Sequence, residues 1–445
     1  MSPDGILPEE LSSDLSVAAE RVREAPDIRI IAHYDGDGTS AAIILARVLE
    51  KLGKLYHISF IKSLDGESFT KRIVEEDTFT IIVDAGSDQI KNLPDRDNVI
   101  ILDHHFYSDS DAKAININAR KYGYNGTTEA CGATMAFLFA ITVDSENRDL
   151  LPFMISGAIA DKQDLGGFQG LNQTLIDHYS YLLKKERTIN LEGGSIVEGI
   201  VYSTDPFFKD LTGNREKTTS FLQKIGIDPE KSPLELTEDE KRILSKKLAL
   251  RLIAQGVGTD ALTYLEADIM RFEGIEFTSK ELASIIDGNS KIDSNATAVQ
   301  YFLGDHSVRK ELLDNWRIFK TKLIDYTYRS LGQIFHEDFV NYFYAPESEM
   351  AGAICGLLML YLAPQNKPLV GFNVGQSDTK VSSRATRRMV RKTLNLAKVL
   401  ENAAKEVGGS GGGHDIAAGA VIPKGKEKLF IETVNRIIGE TYGIF

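Results

Sequence analysis

Short apolar runs alternate with longer amphipathic stretches through the first third of the chain. The runs Ile28–Ala32, Thr78–Val83 and Val99–Leu102 are rich in β-branched residues, which predicts strands. An amphipathic stretch over 11–25 precedes the first run, and a stretch of strong helix formers follows it. Because continuously apolar strands between helices are typical of a parallel sheet covered on both faces, the pattern predicts an α/β fold.

The pattern changes twice further along the 445 residues, a length that suggests two or three domains. From about 196 to 335 the strand-like runs fade, and capping boxes at Thr237–Glu240 and Thr278–Glu281 predict the starts of helices. From about 338 strand-like runs return, with helices predicted over 394–405 and 425–440. The predicted parts are an N-terminal parallel-sheet domain (1–195), a helical middle insert or connector (196–337) and a C-terminal α/β domain (338–445).

Acidic and histidine side chains follow each of the three predicted strands. They are His33, Asp35 and Asp37 after the first strand, Asp84 after the second, Asp103, His104 and His105 after the third, and Asp161 after a later apolar run. Because ligands gather at the carboxyl ends of parallel strands, we expect these groups to lie close together. A turn or a helix cap explains any one of them alone, and only the joint pattern favours a metal site.

Clustered carboxylates and imidazoles are the ligands of Mn²⁺, Mg²⁺ or Zn²⁺. Several carboxylates at one place repel one another unless cations neutralise them. One cation needs only about three or four of these ligands, so we expect two cations that share a bridging carboxylate. Two ions about 3.5–4 Å apart can clamp a phosphoryl group during an in-line displacement.

The charge distribution adds a second candidate surface. The chain carries a net charge of −13, which disfavours non-specific coating of nucleic acid. Seven basic side chains and no acidic one nevertheless lie between 380 and 398, and such a run suits a phosphate backbone. A solvated helix face would have the same composition. The seven are Lys380, Arg384, Arg387, Arg388, Arg391, Lys392 and Lys398.

The glycine run Gly408–Gly413 comes directly before His414. We predict a flexible loop here, whose backbone N–H groups can approach a phosphate closely, although such a run is also typical of a linker. It does not end in the Lys-Ser/Thr pair of an ATP-binding loop, so ATP binding is not predicted.

Composition also bears on the compartment. The sequence contains no run of about 18 uncharged apolar residues, so no membrane-spanning helix is predicted. The acidic N-terminal stretch lacks the apolar core of a secretory signal. Cys131 and Cys355 lie far apart in apolar stretches, so we predict buried free thiols and a reducing, cytoplasmic location.

Five short motifs, in this order, resemble a known family. HYDGDG at 33–38, Asp84, DHH at 103–105 and Asp161 are similar to the four motifs of the DHH phosphoesterase superfamily. GGSGGGHDIAAGA at 408–420, with KVSSRA upstream of it, resembles the associated DHHA1 domain. Within the superfamily the chain is most similar to the archaeal RecJ-like proteins. These resemble the bacterial RecJ nuclease and the helicase-associated subunit of the eukaryotic replisome.

The resemblance implies a metal ligand set with Mn²⁺ as the favoured ion and Mg²⁺ or Zn²⁺ as alternatives. The implied ligands are Asp35 for the first ion, with His33 as a ligand or as the group that orients Asp35; Asp37, His104 and Asp161 for the second; and Asp84 as the bridge. His105 would donate to the scissile phosphate, and Asp103 would orient a histidine or a water.

For the C-terminal domain the resemblance implies a substrate-binding surface that closes one side of a cleft between the two α/β domains. The candidate contacts are Ser383, Arg384, Arg387, Gly412, Gly413 and His414.

The resemblance implies a metal-dependent exonuclease that hydrolyses single-stranded DNA or RNA from an end, in DNA replication or repair. A second hypothesis is a replisome scaffold that binds the replicative helicase and the GINS assembly, with nuclease activity secondary. A third is a phosphoesterase for small substrates such as short oligonucleotides or a nucleoside bisphosphate. The polarity of cleavage, the choice between DNA and RNA and the oligomeric state stay open.

Overall fold

The computed structural model describes residues 5–62, 64, 78–93, 97–108, 113–347 and 350–443. The chain divides into two compact units. The first unit comprises Met1–Glu186 and Ile269–Phe319, and the second comprises Arg187–Asp268 and Lys320–Phe445. The segment predicted as an insert is therefore shared between the two units.

The strands of the described residues are β1 (Asp27–His33), β2 (Leu55–Ile61), β3 (Phe79–Val83), β4 (Val99–Asp103), β5 (Ile115–Asn118), β6 (Leu183–Ile189), β7 (Glu266–Phe272), β8 (Phe335–His336), β9 (Asn341–Tyr344), β10 (Leu369–Val374), β11 (Asp378–Arg384), β12 (Ser410–Gly413) and β13 (Ala417–Pro423).

Within the same described residues, the α-helices are α1 (Glu9–Glu24), α2 (Gly36–Lys51), α3 (Gly132–Val143), α4 (Leu151–Ala160), α5 (Gly170–His178), α6 (Ile196–Val201), α7 (Arg215–Lys224), α8 (Glu238–Ala254), α9 (Thr259–Leu262), α10 (Ser279–Ser290), α11 (Asn295–Phe302), α12 (Arg309–Leu331), α13 (Ala351–Leu357), α14 (Arg387–Arg391), α15 (Leu396–Glu406) and α16 (Glu427–Thr441).

The first unit contains the predicted parallel sheet. Its five strands run in the order β2-β1-β3-β4-β5, and every neighbouring pair is parallel. Ile30, Ile82 and Ile101 are fully buried, as expected for the continuously apolar strands of a parallel sheet. The α/β prediction and the parallel sheet are confirmed.

The last three residues of the first motif, Gly36–Gly38, form the first turn of a helix. Helix α2 begins at Gly36, and the Asp35 carboxylate caps it by accepting the Gly38 N–H at 3.2 Å. A Cβ at Gly38 would lie 2.2 Å from the carbonyl oxygen of His33. Glycine at this position therefore lets the helix start directly against the end of β1.

The second unit contains a six-stranded mixed sheet in the order β12-β13-β11-β10-β9-β8. The predicted flexible loop at 408–413 is wrong, because Ser410–Gly413 form edge strand β12, paired antiparallel with β13. A Cβ at Gly411 would lie 2.9 Å from the Leu400 carbonyl oxygen, so a residue without a side chain lets the strand pack closely against α15.

The middle of the chain is mainly helical, as predicted. Both capping boxes are present, with Thr237 and Thr278 as the N-cap residues of α8 and α10. Strands β7 and β8 are the exceptions, and β7 forms a two-stranded sheet with β6. None of the described helices combines the length and the apolar character that a membrane crossing requires. Cys131 and Cys355 are buried free thiols, as predicted.

Candidate metal centre

One group of donor atoms lies at the ends of β1 and β3. Nδ1 of His33 is 3.1 Å from Oδ2 of Asp35 and 3.4 Å from Oδ2 of Asp84. The three residues offer donor atoms within 4.8 Å of one another. These are two of the residues predicted for the first ion and the predicted bridging carboxylate.

A second group lies beside the first. Nε2 of His104 is 3.0 Å from Oδ1 of Asp84, 3.7 Å from Oδ2 of Asp37 and 3.6 Å from Oδ2 of Asp161. His104, Asp37 and Asp161 again offer donor atoms within 4.8 Å of one another. Asp84 therefore contacts a histidine of each group, which is the position that a bridging carboxylate needs.

Local backbone structure holds these carboxylates in place. Asp37 accepts the N–H groups of Gly132 at 2.6 Å and Ala133 at 2.9 Å, at the N-terminus of α3, where the helix dipole favours a negative charge. Asp84 has a left-handed backbone with φ of 60°, which costs free energy for a residue other than glycine. A Cβ at Gly132 would lie 2.5 Å from the Asp84 side chain, so glycine makes room for it.

The two histidines of the DHH motif face different partners. Nδ1 of His104 contacts the Gly126 carbonyl oxygen, which leaves Nε2 directed at the carboxylates. Nδ1 of His105 contacts Oδ1 of Asp103 at 2.9 Å, and its side chain is 53% exposed. Asp103 is fully buried and also accepts the N–H groups of His104 and Ser87, so its carboxylate holds the backbone of this turn in place.

The electrostatics of the centre reflect its crowded carboxylates. Burial and the charge of Asp84 raise the pKa of Asp37 to about 7. Burial and the charge of Asp37 raise the pKa of Asp161 to about 7. Although burial alone would lower it, the carboxylates Asp35 and Asp84 raise the pKa of His33 to about 11. Without a cation, the centre therefore holds protons that neutralise its negative charge.

The donor set fits divalent cations. Nδ1 of His33 is buried between two carboxylate oxygens, yet it has no hydrogen bond of good geometry within the described residues. Once Nδ1 loses its proton, its lone pair would suit a metal ion shared with Asp35 and Asp84. Oxygen and imidazole donors without a thiolate suit Mn²⁺, Mg²⁺ or Zn²⁺.

The sequence did not indicate the polar contacts that α10 and α11 make with the first motif. Oδ1 of Asp287 accepts the N–H of Gly36 at 3.2 Å. The Asn295 amide donates to the carbonyl oxygen of Tyr34 at 2.6 Å and to the Thr39 hydroxyl at 2.7 Å. These residues belong to the segment predicted as a separate insert, so its helical pattern gave no sign of a role at the centre.

A second set of contacts that the sequence did not indicate holds the loop after α4. Gln163 donates to Oδ2 of Asp161 at 3.3 Å and to the carbonyl oxygens of Gly126 and Ala130. Asp164 forms a largely buried ion pair with Lys280 of α10. Asp161 therefore lies on a loop that is held by the hydrogen bonds of Gln163 and by the ion pair of Asp164.

The candidate substrate contacts all lie in the second unit. Arg384 ends β11 and is half-buried, and Arg387 begins α14 and is exposed. Gly412 and Gly413 lie in β12, and His414 follows them exposed. Ser383 is fully buried and its hydroxyl donates to the Ala418 carbonyl oxygen at 3.1 Å, so a phosphate contact would require that bond to break.

Comparison with known proteins identifies both ends of the chain. The family model described as DHH family, N-terminal domain, matches residues 27–161, and the DHHA1 domain model matches residues 339–440. The uncharacterized protein MJ0831 of Methanocaldococcus jannaschii is 31% identical over 429 residues, which cover 93% of either chain.

Solved structures share the fold. The structure of RecJ in complex with Mn²⁺ from Thermus thermophilus is 16% identical with a TM-score of 0.58, over 99% of this chain and 56% of that one. The structure of exonuclease RecJ bound to manganese is 17% identical with a TM-score of 0.57, and the match covers 98% of this chain and 96% of that one. The structure of CDC45 from Entamoeba histolytica is 12% identical with a TM-score of 0.59, and the match covers 96% of this chain and 98% of that one.

At such identities the likeness shows the fold, and this chain spans little more than half of the Thermus protein. The two family models and the homologue carry the assignment. The chain therefore belongs to the DHH family, with a C-terminal DHHA1 domain and a RecJ-like fold.

Proposed function

We propose that this protein is a two-metal phosphodiesterase that removes nucleotides from an end of single-stranded nucleic acid. The observation that carries the proposal is the pair of adjacent donor groups that Asp84 connects, because it contacts His33 in one group and His104 in the other. Two divalent ions held there, Mn²⁺ in the first place, would supply the activated water and neutralise the charge on the phosphate. Solved RecJ relatives bound to Mn²⁺ or Mg²⁺ support the choice of ion.

The chain's own residues would complete the chemistry. His105 is half-exposed beside the donor groups, and Asp103 holds its Nδ1, which leaves Nε2 free to donate to a phosphoryl oxygen. Such a donor stabilises the extra negative charge of the transition state. Buried Asp103 would fix the ring orientation of His105, because it contacts Nδ1 of that ring and is itself held by backbone N–H groups.

The second unit would bind the strand. The exposed side chains of Arg387, Arg388, Arg391 and Lys392 lie on and just after α14. Exposed guanidinium and ammonium groups bind a phosphate backbone without regard to sequence. This supports a nucleic-acid substrate and fits an enzyme that degrades strands of any sequence, as replication and repair of DNA require.

The test is digestion of end-labelled single strands, DNA and RNA, with Mn²⁺ or Mg²⁺. The native chain should release nucleotides from one end, and Asp84→Asn should lose that activity while keeping its fold. Asp177→Asn on α5, an exposed carboxylate, is the matched control and should cleave normally. The proposal fails if the native chain does not cleave, or if Asp84→Asn cleaves as well as the control.

A scaffold role in the replisome is a second candidate, because the CDC45 fold covers nearly the whole chain. In this case the protein would bind the replicative helicase or the GINS assembly. Co-purification of the native chain with those proteins should then be unaffected by Asp84→Asn. A chain that cleaves and captures neither partner would favour the enzyme alone.

The rate of cleavage against substrate length separates the exonuclease from a small-substrate phosphoesterase. An exonuclease should gain in kcat/KM as strands lengthen enough to reach the basic side chains. A preference for dinucleotides or for a nucleoside bisphosphate would instead support the third hypothesis.

A further inference from the structure

An exposed aromatic ring directly follows the DHH motif. Phe106 is 75% exposed, although burying a phenylalanine side chain would stabilise the fold. It is adjacent in the chain to His105, which we propose donates to the substrate. Single exposed apolar residues are ordinary, so the exposure of Phe106 alone indicates no function. Its position directly after His105 is what suggests one.

The backbone on both sides of Phe106 is held by hydrogen bonds. The carbonyl oxygen of His105 accepts the Asn118 amide at 3.0 Å. The N–H of Ser108 donates to the Ser87 carbonyl oxygen at 3.1 Å. Asn118 also donates to the Ser87 hydroxyl at 2.8 Å, so the two anchors are connected. The exposed ring therefore stands on a fixed segment.

One face of the ring is covered by a guanidinium group that is itself held. Cζ of Arg120 lies 4.4 Å from the centroid of the Phe106 ring. Nε of Arg120 donates to the carbonyl oxygen of His104 at 2.9 Å, and its Nη2 donates to the Thr127 hydroxyl at 3.2 Å. A cation over one face fixes the orientation of the ring and leaves the other face toward solvent.

We propose that Phe106 is a stacking platform for a nucleobase beside the phosphate at the metal centre. The inference rests on the proposed function and names what would hold the base. Every nucleobase has a π face, so stacking holds a strand without reading its sequence. A ring already fixed by Arg120 and by its backbone loses little freedom on binding, which strengthens the contact.

The alternative is that Phe106 only shields Arg120 and so supports the DHH turn. Removing the ring would then lower activity on every substrate alike. If Phe106 instead stacks on a nucleobase, the effect of removing its ring depends on whether the substrate carries a base at that position. The test therefore changes the protein and the substrate together.

The probes are single strands with one abasic residue at the first or second position from either end, compared with intact strands. Binding is measured in EDTA, and KM and kcat are measured with Mn²⁺. Phe106→Ala should weaken binding of intact strands and raise KM by about 5- to 150-fold, with kcat little changed. For the abasic strand that the native chain binds poorly, Phe106→Ala should have nearly the same affinity as the native chain.

Phe106→Trp should restore binding of the intact strand, because indole offers a larger stacking face. Tyr181→Ala removes another exposed aromatic ring of the first unit, at 66% exposure, and should bind and cleave as the native chain does. The inference is overturned if native chain and Phe106→Ala discriminate equally between intact and abasic strands. A native chain that neither binds nor cleaves any strand would sink the proposed function, and the inference with it.

Discussion

At the scale of single residues, the role that we propose for His105 is that of a donor to the substrate. Its Nδ1 contacts Asp103 at 2.9 Å and lies 3.8 Å from Oδ1 of Asp84. We expect His105→Ala to lower kcat by about 10²- to 10⁴-fold and to leave Mn²⁺ affinity nearly unchanged. Steady-state kinetics and a Mn²⁺ titration measure the two effects.

His57→Ala is the control for that substitution, because His57 is exposed on β2 and should affect neither quantity. Loss of Mn²⁺ binding in His105→Ala would show that His105 is a metal ligand and contradict its assignment as a donor.

The protonation of the centre makes Mn²⁺ binding depend on pH. Ligands must lose protons to bind a metal, and the pKa values of Asp37 and Asp161 are raised to about 7, with that of His33 raised to about 11. These groups hold more protons folded than unfolded, so their contribution to stability falls as pH rises above about 4. Mn²⁺ bound by these residues would replace the protons and remove this loss.

We therefore expect the gain in Tm from Mn²⁺ over EDTA to grow as pH rises from about 6 to 8. Thermal unfolding in paired samples at each pH measures this gain. Using the difference between paired samples cancels titrating groups elsewhere in the chain. A gain that shrinks over this range would contradict the assignment of these three residues as ligands.

At the residue scale, the positions of acids and histidines after the strands made the cluster of donor side chains predictable. The carboxyl ends of β1, β3 and β4 meet at one edge of the sheet, so residues from three motifs converge there. Asp287 and Asn295 could not be predicted, because they are ordinary helical polar residues about 250 positions from their partners. Only the packing of α10 and α11 brings them to the first motif.

At the scale of elements, α11 should position the first motif. Asn295→Ala removes the side-chain donor to the Tyr34 carbonyl oxygen, and an unsatisfied buried group costs about 1–3 kcal/mol. We expect that loss in the free energy of unfolding and a weaker Mn²⁺ affinity in the folded variant. Denaturant unfolding and a Mn²⁺ titration measure them.

Asn402→Ala, an exposed site on α15, serves as the control and should change unfolding by less than about 0.5 kcal/mol. A folded Asn295→Ala with native Mn²⁺ affinity would mean that α11 supports the fold and does not position the motif.

Element prediction succeeded where the hydrophobic period was strong and failed where side chains carry no signal. The parallel strands and the capped helices α8 and α10 followed from their patterns. Strand β12 was mistaken for a loop because Ser410–Gly413 has no apolar alternation, and its pairing with β13 rests on backbone hydrogen bonds. The pattern did not indicate that α2 begins at Gly36, because Asp-Gly pairs are typical of turns.

At the scale of the whole molecule, an acidic chain would bind an acidic polymer through one basic segment. Removing one basic side chain that neutralises a phosphate should reduce the slope of log affinity against log salt by about 0.7 for a single strand. We expect Arg387→Gln to lower the slope by that amount. Strand binding in EDTA over a range of salt concentrations measures it.

Lys246→Gln is the matched control, since Lys246 is an exposed basic residue on α8 of the same unit. An equal change in slope for both variants would point to a general charge effect and contradict a specific role for the segment 380–398.

The central claim is that side chains from separate motifs hold two divalent ions. Anomalous X-ray diffraction from crystals grown with Mn²⁺ tests it most directly. The account predicts two manganese peaks about 3.5–4 Å apart, with Asp84 between them, His33 and Asp35 on one ion, and Asp37, His104 and Asp161 on the other. No anomalous peak among these side chains, at Mn²⁺ concentrations that support catalysis, would contradict it.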